Sequence, residues 1–314
     1  MARADAILLM AYGSPDSMDD VGAYYTHIRG GREPSAAAVA GLRERYRRVG
    51  GRTPLLDITR QVQSALQHRL MGGHGHAPRV YIGMKHWHPF IGDTIRVMQA
   101  DGITHVTALP LAPHYSRMSI GGYRKAVEQA LAEHQAALEV RFISSWHSHP
   151  AFVELMSNRV RSALERFPAG DGGPVTTVFT AHSLPEKIRQ WNDPYEDEVR
   201  RSGAAVAAGL QLDAWRVAWQ SAGATGEPWI GPDILDMLTT LAREGARRVL
   251  QVPIGFVSEH LEILFDVDIE AQERAGELGI TLRRTEMPNA SEEFVAVLAS
   301  VVADADSLTA IPVA

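Results

Sequence analysis

The feature that most narrows the fold is an alternation along the chain. Seven short runs rich in β-branched and aliphatic residues, AILLMAYG, RVYIGMKH, HVTALPLAP, LEVRFISSW, TTVFTAHS, WRVAWQSAG and RVLQVPIGF, are separated by longer amphipathic segments. Parallel strands joined by helical crossovers produce this pattern, so an α/β protein is expected. The stretch FPAGDGGPV, residues 167 to 175, is the most Gly- and Pro-rich near the middle and divides the strands four and three.

The two sides repeat one another. HPFIGD followed by GITHVTALPLAPHYS lines up with EPWIGPD followed by GARRVLQVPIGFVSE, which sets Pro110 and Pro253 143 positions apart. AILLMAYGSP is likewise mirrored by TTVFTAHSLP. The expected architecture is two similar Rossmann-like domains, residues 1–166 and 175–314, each a parallel sheet flanked by helices, with the chain ends free to cross over. The cleft between them is the expected site.

Composition removes several function classes. A net charge of -6 and a pI near 6.1 give no global field for nucleic acid. No run of roughly 18 apolar residues is present, and the first apolar run is cut by Tyr12, Gly13 and Pro15, so a cytoplasmic protein without a transmembrane segment is expected. Zero cysteines exclude disulfides, a thiolate nucleophile and any 2Fe-2S cluster held by the chain's own cysteines. A metal must then be held by His and carboxylates. Phosphate-loop, zinc-protease, nucleophile-elbow and dinucleotide motifs are missing as well.

Polar residues collect just past the strands: Tyr12, Lys85 with His86 and His88, His114 with Tyr115, His182 with Ser183, Ser221, and Glu259 to Glu262. In open α/β sheets ligands bind there. The stretch FVSEHLEILFDVDIE is the most unusual of these. With Ser258 as N-cap, a helix from Glu259 would carry Glu262, Asp266 and Glu270 every four residues, about 6 Å apart along one face. Such a row is an ordinary solvated face or a channel lining. Like charges at this spacing repel, and no Lys or Arg in the stretch compensates. A passing divalent cation would, and His182 in TAHSLPEKI is the matching imidazole across the cleft.

The segments AYGSPDS, YYTHIRGG, RYRRVGGRTPL, YIGMKHWHPFI, TAHSLPEKI, WQSAG, WIGPD, GFVSEHLEILFD and EMPNA resemble the ferrochelatases in order across nearly the whole chain. They are most similar to the coproporphyrin III ferrochelatases of monoderm bacteria. The resemblance implies a chelatase-like fold and insertion of ferrous iron, as substrate, into a porphyrin, with no tightly bound cofactor. It implies that His182 and Glu262 are the catalytic iron-site pair and that Tyr12 approaches from the opposite face as axial ligand of the product iron. Arg29, Arg45, Tyr46, Thr53 and Tyr123 match positions that contact the porphyrin and its propionates, while Asp266 and Glu270, with His86, match an outer metal path. The lineage also implies a monomer in transient contact with the next haem-pathway enzyme. Two departures are a Glu at 259 where many relatives have Asp, and a Thr at 53 where some have Ser.

The chemistry accounts for the residue types. A porphyrin takes metal only after two pyrrolic protons leave, so the pocket must hold the ring bent while His182 or Glu262 accepts protons. Met10, Ile28, Leu42 and Trp229 are candidate apolar walls, and Arg29 and Arg45 suit carboxylates. A protoporphyrin IX ferrochelatase, a chelatase for another metal, and a non-catalytic haem or porphyrin carrier remain as alternatives.

Overall fold

The computed structural model describes residues 4–72, 77–168, 173–223, 225–305 and 310–312, so positions 169–172 of the expected boundary lie outside the described residues. The first half runs β1 (Ala6–Ala11), α1 (Val21–Ile28), α2 (Ala36–Arg48), α3 (Leu55–Met71), β2 (Arg79–Met84), α4 (Ile91–Ala100), β3 (His105–Pro110), α5 (Ile120–Glu133), β4 (Glu139–Ile143) and α6 (Pro150–Glu165). The second continues with β5 (Thr176–His182), a 3-10 turn (Glu186–Trp191), α7 (Tyr195–Leu210), β6 (Trp215–Gln220), α8 (Ile234–Arg243) and β7 (Arg248–Val252). A π-helix (Ile263–Ala271), α9 (Gln272–Glu277), β8 (Thr281–Arg284), α10 (Glu292–Ala303) and β9 (Ala310–Pro312) complete it. Among the described residues no helix is long and apolar enough to cross a membrane.

Two sheets result, in the orders β2-β1-β3-β4-β9 and β6-β5-β7-β8, and every pairing is parallel except that of β9 with β4. The four-strand order is the same in both, with β1 and β5 as the equivalent inner strands. All seven expected strands form. The two that sequence reading passed over are β8 and β9. β8, TLRR, lies at a sheet edge with little apolar patterning to mark it.

The internal repeat holds, with one correction of register. Met84 N donates to Pro89 O and Trp219 N to Pro232 O, so Pro89 corresponds to Pro232 rather than to Pro228. That pair also stands 143 positions apart, as do Ile91 and Ile234, the first residues of α4 and α8.

β1 is buried at all six positions because helices cover both faces. Ile7 and Leu9 pack toward α3, α6 and α10, whereas Leu8 and Met10 pack toward α4 and α5. Met10 is therefore plain core and not a cleft wall. The first of these cores also takes in Phe179, Ala181, Trp219 and Leu250 of the second sheet, so one apolar layer runs through both halves. α10 packs on α3 and α6, and the end of the chain thus returns to the first sheet.

Candidate active site

The two inner strands aim their carboxyl ends at the same cleft. Tyr12 follows β1 directly and His182 is the last residue of β5, so the repeat places the phenol and the imidazole at equivalent ends of the two sheets. Close packing fixes the end of β5: a Cβ at Gly255 would lie 2.6 Å from that of Ala181, the residue before His182. Tyr195 donates to the His182 carbonyl at 2.9 Å.

His182 and Glu262 meet. His182 Nε2 lies 3.4 Å from Glu262 Oε1, and Nδ1 donates to the Ser183 carbonyl. Burial pulls the imidazole down, but the charge and hydrogen bond of Glu262 more than reverse this and raise it to about 9. Burial likewise pushes Glu262 up, and His182 and His260 together bring it well below the usual carboxylate range. At neutral pH the two groups form an imidazolium–carboxylate pair.

His260 is the residue that sequence reading missed. Its Nε2 lies 3.3 Å from Glu262 Oε2 and its Nδ1 2.9 Å from the Ser258 carbonyl. Two residues apart on an ideal helix, His260 and Glu262 would face different sides. The expected helix from Ser258 and Glu259 does not form: Glu259 N donates to Asn289 Oδ1, the chain is irregular through His260, and the helix starts at Leu261. The close pairing of His with Glu in "EHLE" was the available signal.

From Ile263 to Ala271 the helix is π rather than α, a form that recurs at functional sites. The carboxylate row still runs from Glu262 at the cleft through Asp266, 3% exposed, to Glu270 at the surface. Acids in and beside the row are paired by cations that no local reading of the stretch could supply. Arg45 of α2 pairs with Asp266, Arg48 with Glu273, and Arg284 of β8 with both Asp268 and Glu259. Ser221 also donates to Asp266. Burial raises Asp266 despite Arg45, and burial with the Asp266 charge raises Glu270.

Tyr12, at the end of β1, is 41% exposed. The protein around its hydroxyl and the Glu262 charge both raise that hydroxyl. Its ring centroid is 4.5 Å from that of His86, whose Nδ1 meets His27 Nδ1 at 3.1 Å. Burial, Lys85 and His27 push His86 down to about 3. Lys85 is half-buried, pulled down by that burial, and has no carboxylate partner among the described residues; its Nζ lies 5.4 Å from the Tyr123 ring centroid.

The remaining expected residues divide by burial. Tyr46, Thr53 and Tyr123 are 1%, 7% and 6% exposed. Ser14 joins the first two, at 3.3 Å from Tyr46 and 2.7 Å from Thr53, and burial pushes the Tyr46 hydroxyl up to about 12. Arg29, at the end of α1, is exposed beside Tyr25. His114 belongs elsewhere: it is buried with Nε2 2.9 Å from Ser202 Oγ. Among the described residues no three His, Asp or Glu side chains converge as a metal site. The His182–Glu262 pair is thus an open, two-group arrangement, able to exchange protons and to offer one nitrogen and one oxygen to a cation that brings its other ligands with it.

Comparison with known proteins gives one consistent result. A family model described as ferrochelatase matches residues 4–306. A protein of Herpetosiphon aurantiacus named ferrochelatase is 48% identical over 302 residues, covering 96% of this chain and 99% of that one. The coproporphyrin III ferrochelatase of Bacillus subtilis is 39% identical over 298 residues, covering 94% and 96%. Among solved structures, SirB from Bacillus subtilis with Fe3+ superposes with a TM-score of 0.56 at 11% identity, covering 96% of each chain, a likeness of fold alone.

Proposed function

The chain belongs to the ferrochelatase family, whose reaction is metal insertion into a porphyrin, and we propose that its substrates are ferrous iron and coproporphyrin III. The observation that supports the mechanism is the His182–Glu262 pair, with Tyr12 and His182 at equivalent carboxyl ends of the inner strands. A macrocycle seated between them presents one face to each. Iron arriving at the pair displaces the proton of His182. Neutral imidazole and carboxylate then stand beside the pyrrolic N–H groups and take their protons as the metal enters the ring. His260, on the second oxygen of Glu262, holds that carboxylate in place.

Four carboxylates distinguish coproporphyrin III from protoporphyrin IX, which has two. The cations at the cleft favour the former. Among the described residues neither Lys85 nor the exposed Arg29 has a carboxylate partner, and Arg45 has only one carboxylate on a five-donor fork. Tyr46, Thr53 and Tyr123 act from beneath, positioning the surfaces that the ring touches. The relatives named for coproporphyrin III point the same way.

The test is anaerobic metallation with ferrous iron and either porphyrin, following loss of the free-base absorbance against a protein-free control. Faster turnover of coproporphyrin III is expected. Equal or faster turnover of protoporphyrin IX overturns the specificity, and tight binding without turnover points to a carrier.

Tyr12→Phe tests the opposing face. It removes the phenol oxygen of the residue directly after β1, so the visible spectrum of the iron–porphyrin product complex should shift while metallation continues. An unchanged spectrum rules out Tyr12 as an axial ligand.

A further inference from the structure

The carboxylate row is closed at its middle. Asp266 has both oxygens engaged, Oδ1 by Arg45 and Oδ2 by Ser221. Beside it a cavity of about 400 Å³ is lined by Arg45, Gln220, Ser221, Asp233, Asp266 and Glu270. Gln220 is fully buried and its Nε2 has no hydrogen-bond partner, so the lining holds an unfilled donor beside the carboxylates. A divalent cation entering past Glu270 therefore meets a guanidinium before it reaches Glu262, and a fixed like charge in a partly buried passage is a barrier.

That guanidinium is built to be moved. The Arg45 side chain is 35% exposed, and its Nε is buried without a partner, so its hydrogen-bonding capacity is not filled by Asp266. It lies 4.6 Å from the Phe265 ring centroid, with Arg48 at 5.2 Å from the same ring. Arg48 in turn pairs with Glu273, so α2 stays fastened to the acidic segment if Arg45 lets go. The neighbouring Tyr46 is anchored separately through Ser14.

We propose that Arg45 gates the acidic row. Paired with Asp266 it bars a divalent cation from passing between Glu270 and Glu262; a carboxylate of the bound porphyrin, taking the guanidinium, frees Asp266 to receive the metal. Delivery of the metal then follows binding of the macrocycle. The second half of this mechanism rests on the porphyrin substrate proposed above, and the first half does not.

Two arms keep those halves apart. In the first, Co2+ binding to the full-length protein without porphyrin is followed by its visible absorption, in wild type, Arg45→Met and Arg45→Gln. The Gln variant retains a donor for Asp266 should Met disturb folding. Removing the positive charge is expected to tighten Co2+ binding by roughly tenfold, and Asp266→Asn added to either variant should return it to the wild-type level. Equal affinity in wild type and both folded variants overturns the gate. In the second arm, protein is pre-mixed with either coproporphyrin III or Co2+ before the other is added. Wild type should metallate faster when porphyrin comes first, and Arg45→Gln should show no dependence on order. A dependence that survives in Arg45→Gln overturns the coupling. A failure of coproporphyrin III to bind wild type, seen as an unperturbed porphyrin spectrum, overturns the substrate reading and the coupling built on it, while the cobalt arm decides the gate by itself.

Discussion

Glu262→Gln is expected to slow metallation by about a thousandfold while the porphyrin still binds, and His182→Ala to do the same. Each removes one half of the 3.4 Å pair that we propose holds the incoming cation and takes the pyrrolic protons. The amide keeps the size of Glu262 and leaves the charge behind, so the loss reports chemistry and not packing. A second readout separates the mechanism from damage. With Glu262 ionised, the imidazole is raised to about 9 against the pull of burial; without it the two largest raising causes are gone and His182 should titrate well below 9, as an NMR titration of the ring protons can show. The same shift fixes a pH dependence. A raised imidazole contributes stability that is fully present below about 6.5 and lost as pH rises through about 9, whereas a depressed carboxylate contributes stability lost as pH falls through its folded value. In the proposed mechanism iron displaces the His182 proton, so metal capture should strengthen toward pH 9 in the wild type and lose that trend in Glu262→Gln. Wild-type turnover in both variants would remove the pair from the reaction.

The sequence carried the frame and the ends of the strands, because both are local. Seven strands form where the runs lie, and Tyr12 and His182 stand at equivalent strand ends because the repeat that pairs Pro110 with Pro253 continues through Pro89 and Pro232. What escaped reading is set by contacts distant in the chain. Asp266 and Arg45 are 221 positions apart, so the stretch read as uncompensated when the cations that pair its acids sit on α2 and β8. The π-helix escaped as well, and a helical period read from FVSEHLEILFDVDIE contains no hint that Asn289 will hold Glu259 and Arg284 will hold Asp268. His260 was hidden by that assumed α-helix, and reaches Glu262 only because the helix starts after it.

Arg284→Met should destabilise the fold by about 3 kcal/mol or more, because it leaves two carboxylates in a partly buried setting with no cation between them. Arg284 Nε and Nη2 grip the two oxygens of Asp268 at 2.6 and 2.8 Å, and Nη2 reaches Glu259 at 3.2 Å, with the arginine side chain only 17% exposed. Both the charge and the hydrogen bonds of this fork raise Arg284 against its burial, so the cation is firmly held. The two carboxylates bracket Glu262 on either side, and β8 thereby clamps the irregular entry and the π-helix to the second sheet. Loss of the clamp should therefore lower kcat as well as the unfolding midpoint in denaturant. Adding Asp268→Asn and Glu259→Gln to Arg284→Met removes the stranded charges and should recover most of the stability, since deleting every member of an ion-pair cluster costs far less than deleting one. It should not recover kcat to the same extent, because neutral amides no longer fix the backbone that aims Glu262. An Arg284→Met protein as stable and active as wild type would mean that Asn289 and the π-helix's own backbone bonds suffice to hold the acidic segment, and that the arginine of β8 only neutralises it.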